Sequence, residues 1–419
     1  VRQSVMERTM TNILAQLASQ NLLFKKPLTQ GRGYNPRQRW WDACFLTNCK
    51  HIFGFYYKRT WIHVLRIGIG CVFFLLSTIL INADKGETMV NKAYSVAAKT
   101  VESFQVYYMQ QDEKAVAEIV PALGNNCYAF RVADGDTWLN LIDAPPDLAT
   151  LEERPTAYGN PILFPFPNRI RNGTWQFEGE TYRFDKPPES PTTIHGLLLN
   201  QPYQVESHIA DENGATLVCS LNSRDFPDVS RQYPFPFRIE ITYTLKDAVL
   251  TMGIAIKNIG DRNMPMGFGI HPYFSVDLGT EANAAEAVIT VPAAKYWELD
   301  EVLVPTGIRH DVADTLDLRN GQPFAKLKLD HVFTDVQLVD GVSRCLIENK
   351  DTGYGMVMES DAQFRELVVY TPPDRDAICF EPYTCPTDAI NLETRGIPAG
   401  VIVLAPDETF SGTVRFMLQ

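Results

Sequence analysis

Short apolar runs separated by turn-forming residues recur through most of this 419-residue chain and restrict what it can fold into. From Ala115 onward, stretches rich in Val, Ile, Phe and Tyr alternate with clusters of Gly, Pro, Asn and Asp. In RIEITYTL (238–245) every second residue is apolar, namely Ile239, Ile241, Tyr243 and Leu245. This period is typical of antiparallel strands with one buried face. We therefore predict an all-β fold, a large antiparallel β-sandwich over residues 115–419.

Charge divides the chain into two parts. Residues 1–88 carry 12 Lys and Arg against 4 Asp and Glu, whereas the remainder carries 26 against 46. The overall net charge of −12 argues against a general nucleic-acid-binding protein, which would show a basic surface. We therefore predict a basic N-terminal extension (1–88), a leader into the domain (89–114) and the β domain itself (115–419).

The extension contains one hydrophobic segment, residues 61–82, with the sequence WIHVLRIGIGCVFFLLSTILIN. Its uncharged part is short for a membrane-spanning helix, which needs about 20 residues, although Arg66 could reach the interface. Two interpretations stay open: a membrane anchor, or an artefact upstream of a true start at Met89. We expect the catalytic domain to be cytoplasmic, with membrane anchoring through residues 61–82 as the alternative.

The eight cysteines are scattered and include no CxxC pair. This spacing argues against zinc fingers and against a disulfide scaffold. Free, partly buried thiols in a reducing compartment are the simplest interpretation.

Two segments of the body place a group capable of acid–base chemistry among apolar residues. FGIHPYF contains His271, whose backbone is restricted by Pro272, and ICFEPYT contains Glu381. An apolar setting raises the pKa of a carboxyl group and suits it to general-base chemistry near neutrality. A packed core histidine and a buried, paired glutamate are the structural alternatives.

Three further segments carry polar side chains that could bind a ligand. Asn168 and Arg169 follow a proline-rich aromatic run, and the planar fork of an arginine suits vicinal hydroxyls or carboxylates. His195 precedes a glycine in TTIHG. Asp330 and His331 are adjacent in LDHVFTD, so only one of them can face a given pocket of a sheet. Taken singly, each has an ordinary structural explanation.

In this order, the five segments resemble those of the aldose 1-epimerase (galactose mutarotase) family, over roughly residues 115–419. The matching pieces are NRIRNGTWQFEGETYRF, IHG, FGIHPYF, DHVF, and CFEPYT with PTDAIN. Each is weak alone, but five in the same order with similar spacing form a specific signal. The resemblance implies a galactose mutarotase-like supersandwich that binds a sugar in a groove on its concave face. It implies no metal, nucleotide or redox cofactor.

Carried over residue by residue, the resemblance implies that His271 is the general acid and Glu381 the general base. The substrate-binding positions are Asn168, Arg169, His195 and Asp330. The family's usual HPYFNL is here HPYFSV, and Thr387-Asp388 replaces an asparagine that usually follows the glutamate. These departures leave the acid–base groups intact but put the substrate preference in question.

The predicted function is an aldose 1-epimerase that interconverts the α and β anomers of a free hexose. One alternative is a hexose-6-phosphate 1-epimerase on the same fold, which would need extra cations; Arg171 is the candidate. The others are a non-catalytic carbohydrate-binding domain and a membrane-anchored accessory protein. The partner in each enzymatic case is a monosaccharide, and the sequence gives no oligomeric state.

Overall fold

The structure is a computed structural model that describes residues 93–279 and 282–419. Its strands, numbered in chain order, are β1 (Tyr94–Val101), β2 (Phe104–Gln111), β3 (Ala115–Val120), β4 (Asn126–Asp134), β5 (Thr137–Ile142), β6 (Ile162–Leu163), β7 (Arg169–Arg171), β8 (Thr174–Phe177), β9 (Glu180–Arg183), β10 (Thr192–Ile194), β11 (Gln204–Asp211), β12 (Gly214–Asn222), β13 (Phe237–Lys246), β14 (Val249–Asn258), β15 (Met264–Met266), β16 (Gly269–Ile270), β17 (Tyr273–Ser275), β18 (Ala287–Thr290), β19 (Ala293–Leu299), β20 (Pro305–Asp311), β21 (Gln322–Pro323), β22 (Asp330–Val336), β23 (Val342–Asn349), β24 (Gly355–Asp361), β25 (Glu366–Tyr370), β26 (Ala377–Tyr383), β27 (Ile402–Leu404) and β28 (Thr409–Leu418). The α-helices within these residues are short: α1 (Leu148–Glu153), α2 (Pro227–Gln232) and α3 (Ala389–Thr394).

Most strands belong to two large sheets. The larger has 13 strands in the order β1-β2-β3-β4-β5-β17-β26-β25-β22-β19-β20, with β16 joined to β26 and β6 joined to β16. The smaller has nine strands in the order β11-β12-β13-β14-β28-β24-β23-β18-β21. Neighbouring strands run antiparallel, which confirms the predicted all-β antiparallel fold.

The two sheets pack against each other through the apolar sides of their strands. In β13 every second residue is buried, and these are the alternate apolar residues Ile239, Ile241, Tyr243 and Leu245. Across the interface, Phe274 of the larger sheet lies against Phe416 of the smaller, with ring centroids 5.8 Å apart. The predicted sandwich is therefore the observed architecture, and its core lies between the sheets.

The larger sheet begins earlier in the chain than we expected from the sequence. Residues 89–114 were predicted as a leader, yet they contain β1 and β2, which pair with each other and continue into β3. Most side chains of β1 are exposed because it is an edge strand, so it lacks the apolar alternation that marked the later strands. Val106 and Met109 of β2 are fully buried and belong to the domain.

The basic extension 1–88 and its hydrophobic segment 61–82 lie outside the described residues. Within residues 93–279 and 282–419, no helix has the length and hydropathy needed to cross a bilayer. The cysteines in this part of the chain are free and buried, as expected: Cys127, Cys219, Cys345, Cys379 and Cys385.

One row of residues crosses four neighbouring strands of the larger sheet. Tyr273 of β17 is the Cα partner of Cys379 of β26, which is the partner of Tyr370 of β25. Tyr370 is in turn the partner of Asp330 of β22. Directly opposite residues of antiparallel strands share a face, so these four side chains project from one side of the sheet. Glu381 lies two residues after Cys379 and faces the same side.

Glu366 of β25 is a second buried carboxyl group on this side of the sheet. The Nε1 of Trp297 donates a hydrogen bond to it at 2.8 Å, and the hydroxyl of Thr334 donates another at 2.9 Å. Burial raises the pKa of Glu366 to about 8, although both hydrogen bonds act in the opposite direction. The folded chain therefore holds a proton on Glu366 at pH values where an unfolded chain has lost it.

We expect replacement of Glu366 by Gln to increase stability relative to wild type progressively between pH 4.5 and about pH 8. In wild type the unfolded chain releases this proton near the ordinary pKa, so stability is lost as pH rises toward the folded pKa. Glutamine has no such proton to lose. Urea unfolding at several pH values should show a difference that grows with pH, by on the order of a few kcal/mol at most.

The control variant is Glu348→Gln, which replaces an exposed carboxylate on β23. Its stability relative to wild type should change little over the same pH range. If Glu366→Gln and Glu348→Gln show the same pH dependence, the buried proton on Glu366 does not exist.

Candidate active site

The structure brings together the two residues that the sequence singled out for acid–base chemistry. Glu381 lies in the middle of β26, and His271 lies between β16 and β17, both of which pair with β26. His271 Nε2 is 3.3 Å from Glu381 Oε1. Only 6% of His271 and 1% of Glu381 are exposed. The pair is thus a direct contact between a buried imidazole and a buried carboxyl group.

Tyr383 holds the other oxygen of the carboxyl group. Its hydroxyl donates a hydrogen bond to Glu381 Oε2, which leaves Oε1 facing His271. Burial raises the pKa of Glu381 well above its ordinary value, and this hydrogen bond opposes the shift. Among the smaller contributions, the charge of Asp330 raises the pKa and that of Arg169 lowers it.

Burial acts on His271 in the opposite direction. It lowers the pKa of the imidazole to about 3, and the positive charge of Arg375 adds to the effect. A raised pKa on Glu381 and a lowered pKa on His271 both favour a neutral pair in which the carboxyl group holds the shared proton. The pair therefore has a donor and an acceptor without carrying a net charge.

Aromatic rings fix the orientation of the imidazole. His271 stacks on Tyr273, with ring centroids 4.8 Å apart and an angle of 13° between the planes. Arg375 also lies over the phenol ring of Tyr273 at 4.8 Å and over that of Tyr158 at 4.3 Å. Arg375 is itself held by Asp143, whose carboxylate accepts a hydrogen bond from Nε at 2.6 Å. This support for His271 was not predicted from the sequence.

Three of the predicted binding residues form one local unit. The short strands β7 and β10 pair with Ile194 opposite Arg169, and His195 follows β10 directly. The backbone N–H of His195 donates to the carbonyl of Asn168 at 2.8 Å, and Asn168 Oδ1 accepts from Arg169 Nη1 at 2.9 Å. Asn168 and His195 both have left-handed backbones, with φ of 57° and 66°.

This unit meets the His271–Glu381 pair through His195. The rings of His195 and His271 contact edge to face, with centroids 5.3 Å apart and planes at 71°. Burial lowers the pKa of His195 well below its ordinary value, and the neighbouring His271 and Arg169 add to this. His195 is therefore neutral at neutral pH and can donate or accept one hydrogen bond at each nitrogen according to its tautomer.

Asp388, one of the departures from the family pattern, connects this unit to helix α3. Its backbone N–H donates to the carbonyl of Arg169 at 3.0 Å, and its Oδ1 accepts from the backbone N–H of Arg171 at 3.1 Å. The same oxygen accepts a hydrogen bond from Asn391 at 2.7 Å. Burial raises the pKa of Asp388 to about 6. Asp388 thus positions the backbone that carries Arg169.

Asp330 lies at the start of β22, where the sheet borders an open groove of about 1370 Å³. Tyr370 also lines this groove, and its ring centroid is 6.3 Å from that of His271, which links the groove to the His271–Glu381 pair. The register places Asp330 on the face of Glu381, and it places His331, which packs toward Tyr296, on the other. Of the two adjacent residues, Asp330 is therefore the one that faces the pair. Both residues nevertheless line the groove, so the expectation that only one of them would face a given pocket was wrong.

Two residues near Glu381 were not predicted, although the sequence contained a signal for them. Cys379 and Tyr383 lie two positions before and after Glu381 on a strand, so the period of two places all three on one face. The thiol of Cys379, the imidazole of His271 and the carboxyl group of Glu381 come within 4.8 Å of one another. Arg171, the candidate cation for the alternative of a phosphorylated sugar, forms an ion pair with Asp300.

Comparison with known proteins assigns the domain to a family. The sequence model of the aldose 1-epimerase family matches residues 105–417. The chain is 29% identical over 244 residues to the uncharacterized protein YihR of Escherichia coli (strain K12), covering 57% of this chain and 74% of YihR. It is 26% identical over 229 residues to the galactose mutarotase of Homo sapiens, covering 53% of this chain and 61% of that protein.

Solved structures show the same fold. A galactose mutarotase-like protein from Clostridium acetobutylicum superposes with a TM-score of 0.73 at 22% identity, covering 78% of this chain and 99% of that one. Galactose 1-epimerase from Lactobacillus acidophilus gives a TM-score of 0.62 at 18% identity, covering 78% and 98%. With the match of the family model across most of its length, the chain belongs to the aldose 1-epimerase family.

Proposed function

We propose that the protein is a mutarotase that interconverts the α and β anomers of a free hexose. The observation that carries the proposal is the 3.3 Å separation of His271 Nε2 and Glu381 Oε1 in a buried site. Opening a sugar ring requires proton removal from the C1 hydroxyl and proton delivery to the ring oxygen. Both oxygens are bonded to C1, so the two groups that act on them must be close neighbours.

Ring opening uses the pair in its charged form. Sugar hydroxyls that enter the site hydrogen-bond to charged groups, which favours transfer of the shared proton from Glu381 to His271. Glu381 then takes the proton of the C1 hydroxyl as His271 gives its proton to the ring oxygen, and the C1–O5 bond breaks. The products are an open-chain aldehyde, a protonated Glu381 and a neutral His271.

Closure reverses these transfers on the other face of the carbonyl. After rotation about the C1–C2 bond, the C5 hydroxyl attacks C1 and gives its proton to His271, and Glu381 protonates the former carbonyl oxygen. The neutral pair, which burial favours, is therefore the form that accompanies the open-chain aldehyde. Each group contributes about 10²–10⁴-fold in acid–base catalysis, enough to accelerate a reaction that already proceeds in water.

The remaining site residues would bind the sugar. Arg169 donates to sugar oxygens and stabilises charge that develops near Glu381. His195, held beside His271, reaches the same region of the ring, and Asn168 fixes the orientation of Arg169. Asp330 accepts hydrogen bonds from hydroxyls at the groove side of the site.

We favour a free sugar over a phosphorylated one, because two of the arginines beside the site already have carboxylate partners and are weaker phosphate ligands for that reason. Arg171 is engaged by Asp300, and Arg375 is engaged by Asp143. Because the human relative is a galactose mutarotase, α-D-galactose and α-D-glucose are the first substrates to test, followed by a hexose 6-phosphate.

We expect Glu381→Gln and His271→Asn each to reduce anomer exchange by about 10²-fold or more, since each removes one of the two proton-transfer groups. Polarimetry of freshly dissolved α-D-galactose and α-D-glucose measures the rate above the spontaneous background. Circular dichroism should show that both variants remain folded.

Glu348→Gln, an exposed replacement of the same kind on the smaller sheet, should keep the wild-type rate. Near wild-type activity in either catalytic variant would remove that residue from its proposed role. If well-folded wild type accelerates only the 6-phosphate, the epimerase proposal holds with a different substrate. No acceleration of any sugar would leave a carbohydrate-binding domain.

The pH dependence of kcat/KM tests the shared proton. A pair that needs one proton should remain active from weakly acidic pH through neutrality, because His271 has a pKa of about 3 and Glu381 a raised one. Activity should fall at high pH as Glu381 loses its proton. Removing the hydroxyl with Tyr383→Phe takes a hydrogen bond from the ionised carboxylate, so the high-pH decline should move up by about one pH unit.

Stopped-flow polarimetry with background subtraction at each pH gives both profiles. Tyr182→Phe, which removes a hydroxyl that bonds to the exposed Glu180, is the matched control and should leave the profile in place. A wild-type profile that rises through an ordinary histidine pKa near 6.5 would contradict the neutral pair.

A further inference from the structure

A cysteine completes a compact cluster at the catalytic pair. A ring nitrogen of His271, the Sγ of Cys379 and a carboxyl oxygen of Glu381 all lie within 4.8 Å of one another. All three side chains are buried, and the thiol is free. Cys379 takes no part in the proposed reaction, so its position beside the pair needs a separate explanation.

The sheet itself holds this cluster together. Cys379 and Glu381 lie two residues apart on β26 and therefore face the same side. Cys379 is the Cα partner of Tyr273, and the ring of His271 stacks on that tyrosine. Sites built on strands keep their geometry better than sites built on loops.

The three groups are the ligand types that zinc binds in proteins. Thiolate, imidazole and carboxylate ligands lie about 2.0–2.3 Å from a tetrahedral Zn²⁺, which places the ligand atoms roughly 3.3–3.8 Å apart. The 3.3 Å between His271 and Glu381 already meets this spacing, and the Sγ of Cys379 lies within 4.8 Å of both partners. A thiolate disfavours Mg²⁺ and Ca²⁺, which prefer oxygen ligands.

A neighbouring hydroxyl already orients one of these ligands. Tyr383 donates to Glu381 Oε2, so that Oε1 remains directed toward His271. Outer partners of this kind fix the direction of metal-binding carboxylates and are a regular part of zinc sites. Three protein ligands would leave a fourth position for water or a sugar hydroxyl.

We propose that His271, Cys379 and Glu381 bind one Zn²⁺ ion and that the bound ion inhibits sugar anomer exchange. The ion replaces the proton shared by His271 and Glu381 and also displaces the thiol proton of Cys379, so both protons pass to solvent. With its proton-transfer pair occupied by zinc, the site cannot act on the C1 hydroxyl and the ring oxygen. The inhibitory effect rests on the proposed function, whereas the binding of zinc does not.

Cobalt gives a direct optical signal for binding at this site. Co²⁺ occupies zinc sites, and a thiolate ligand adds a charge-transfer absorption band to its spectrum. The full chain, purified without a polyhistidine tag, is titrated with Co²⁺ in a buffer that contains neither thiols nor chelators. We expect a thiolate-to-cobalt absorption band that saturates at one equivalent and disappears when Zn²⁺ is added. Cys379→Ser and Cys379→Ala should both lose the band.

The matched control is Cys385→Ser, which removes another buried thiol of the same strand region without touching the cluster. It should keep the cobalt band. Zinc should also raise the melting temperature of wild type and of Cys385→Ser, but not of the Cys379 variants, because a ligand that binds only the folded state stabilises it. A cobalt band that persists in folded Cys379 variants would overturn the proposal.

The activity measurement separates the two proposals. In wild type, Zn²⁺ should slow anomer exchange and a chelator should restore it, while Cys379→Ser should need at least about tenfold more zinc for the same inhibition. If cobalt binds through Cys379 but wild type has no epimerase activity, the metal site stands and the proposed function fails. If the enzyme is active and zinc has no effect on either protein, the inhibitory site is wrong.

Discussion

The removal of one imidazole and one carboxyl group from water is the constraint on which this site depends. A buried ionised carboxylate is costly without a partner, and a buried imidazolium is costly as well. The contact between His271 and Glu381 resolves both costs, because one shared proton leaves the pair neutral. The hydroxyl of Tyr383 then satisfies the carboxyl oxygen that faces away from the histidine. Burial therefore favours the uncharged pair until a polar ligand enters.

The surrounding architecture can be understood as the support that this pair requires. β26 lies inside the larger sheet and carries Glu381, while its neighbours bring His271 alongside. Tyr273 and Arg375 hold the imidazole from behind, and Asp388 holds the backbone of Arg169 from the side. Arg375 and Asp388 are distant in the chain from the groups they contact, whereas Tyr273 lies two residues after His271. Strand register and burial therefore fix the positions of these side chains.

The sequence predicted the fold class because the alternation in strands such as β13 is a local property that survives in the folded protein. It also identified His271 and Glu381, since charged or titratable residues in apolar runs are unusual. It missed β1 because an exposed edge strand carries no such alternation. It could not reveal that Arg171 is paired with Asp300, or that Arg375 supports Tyr273, because these contacts join segments distant in the chain. Cys379 was not selected from the sequence because it belongs to no cysteine motif. Its position two residues before Glu381 on a strand nevertheless indicated that both side chains face the same side of the sheet.

The row that joins Tyr273, Cys379, Tyr370 and Asp330 has a consequence for how the protein acquires its site during folding. These residues come from strands whose neighbours in space are often far away in the chain, and such pairings are slow because long loops must close first. No single hairpin of the sheet contains both His271 and Glu381. The site therefore forms only when β16 and β17 have paired with β26 in the larger sheet. The formation of the contact between His271 and Glu381 during refolding therefore reports the assembly of that sheet, and we expect it to come later than any signal from local strand formation.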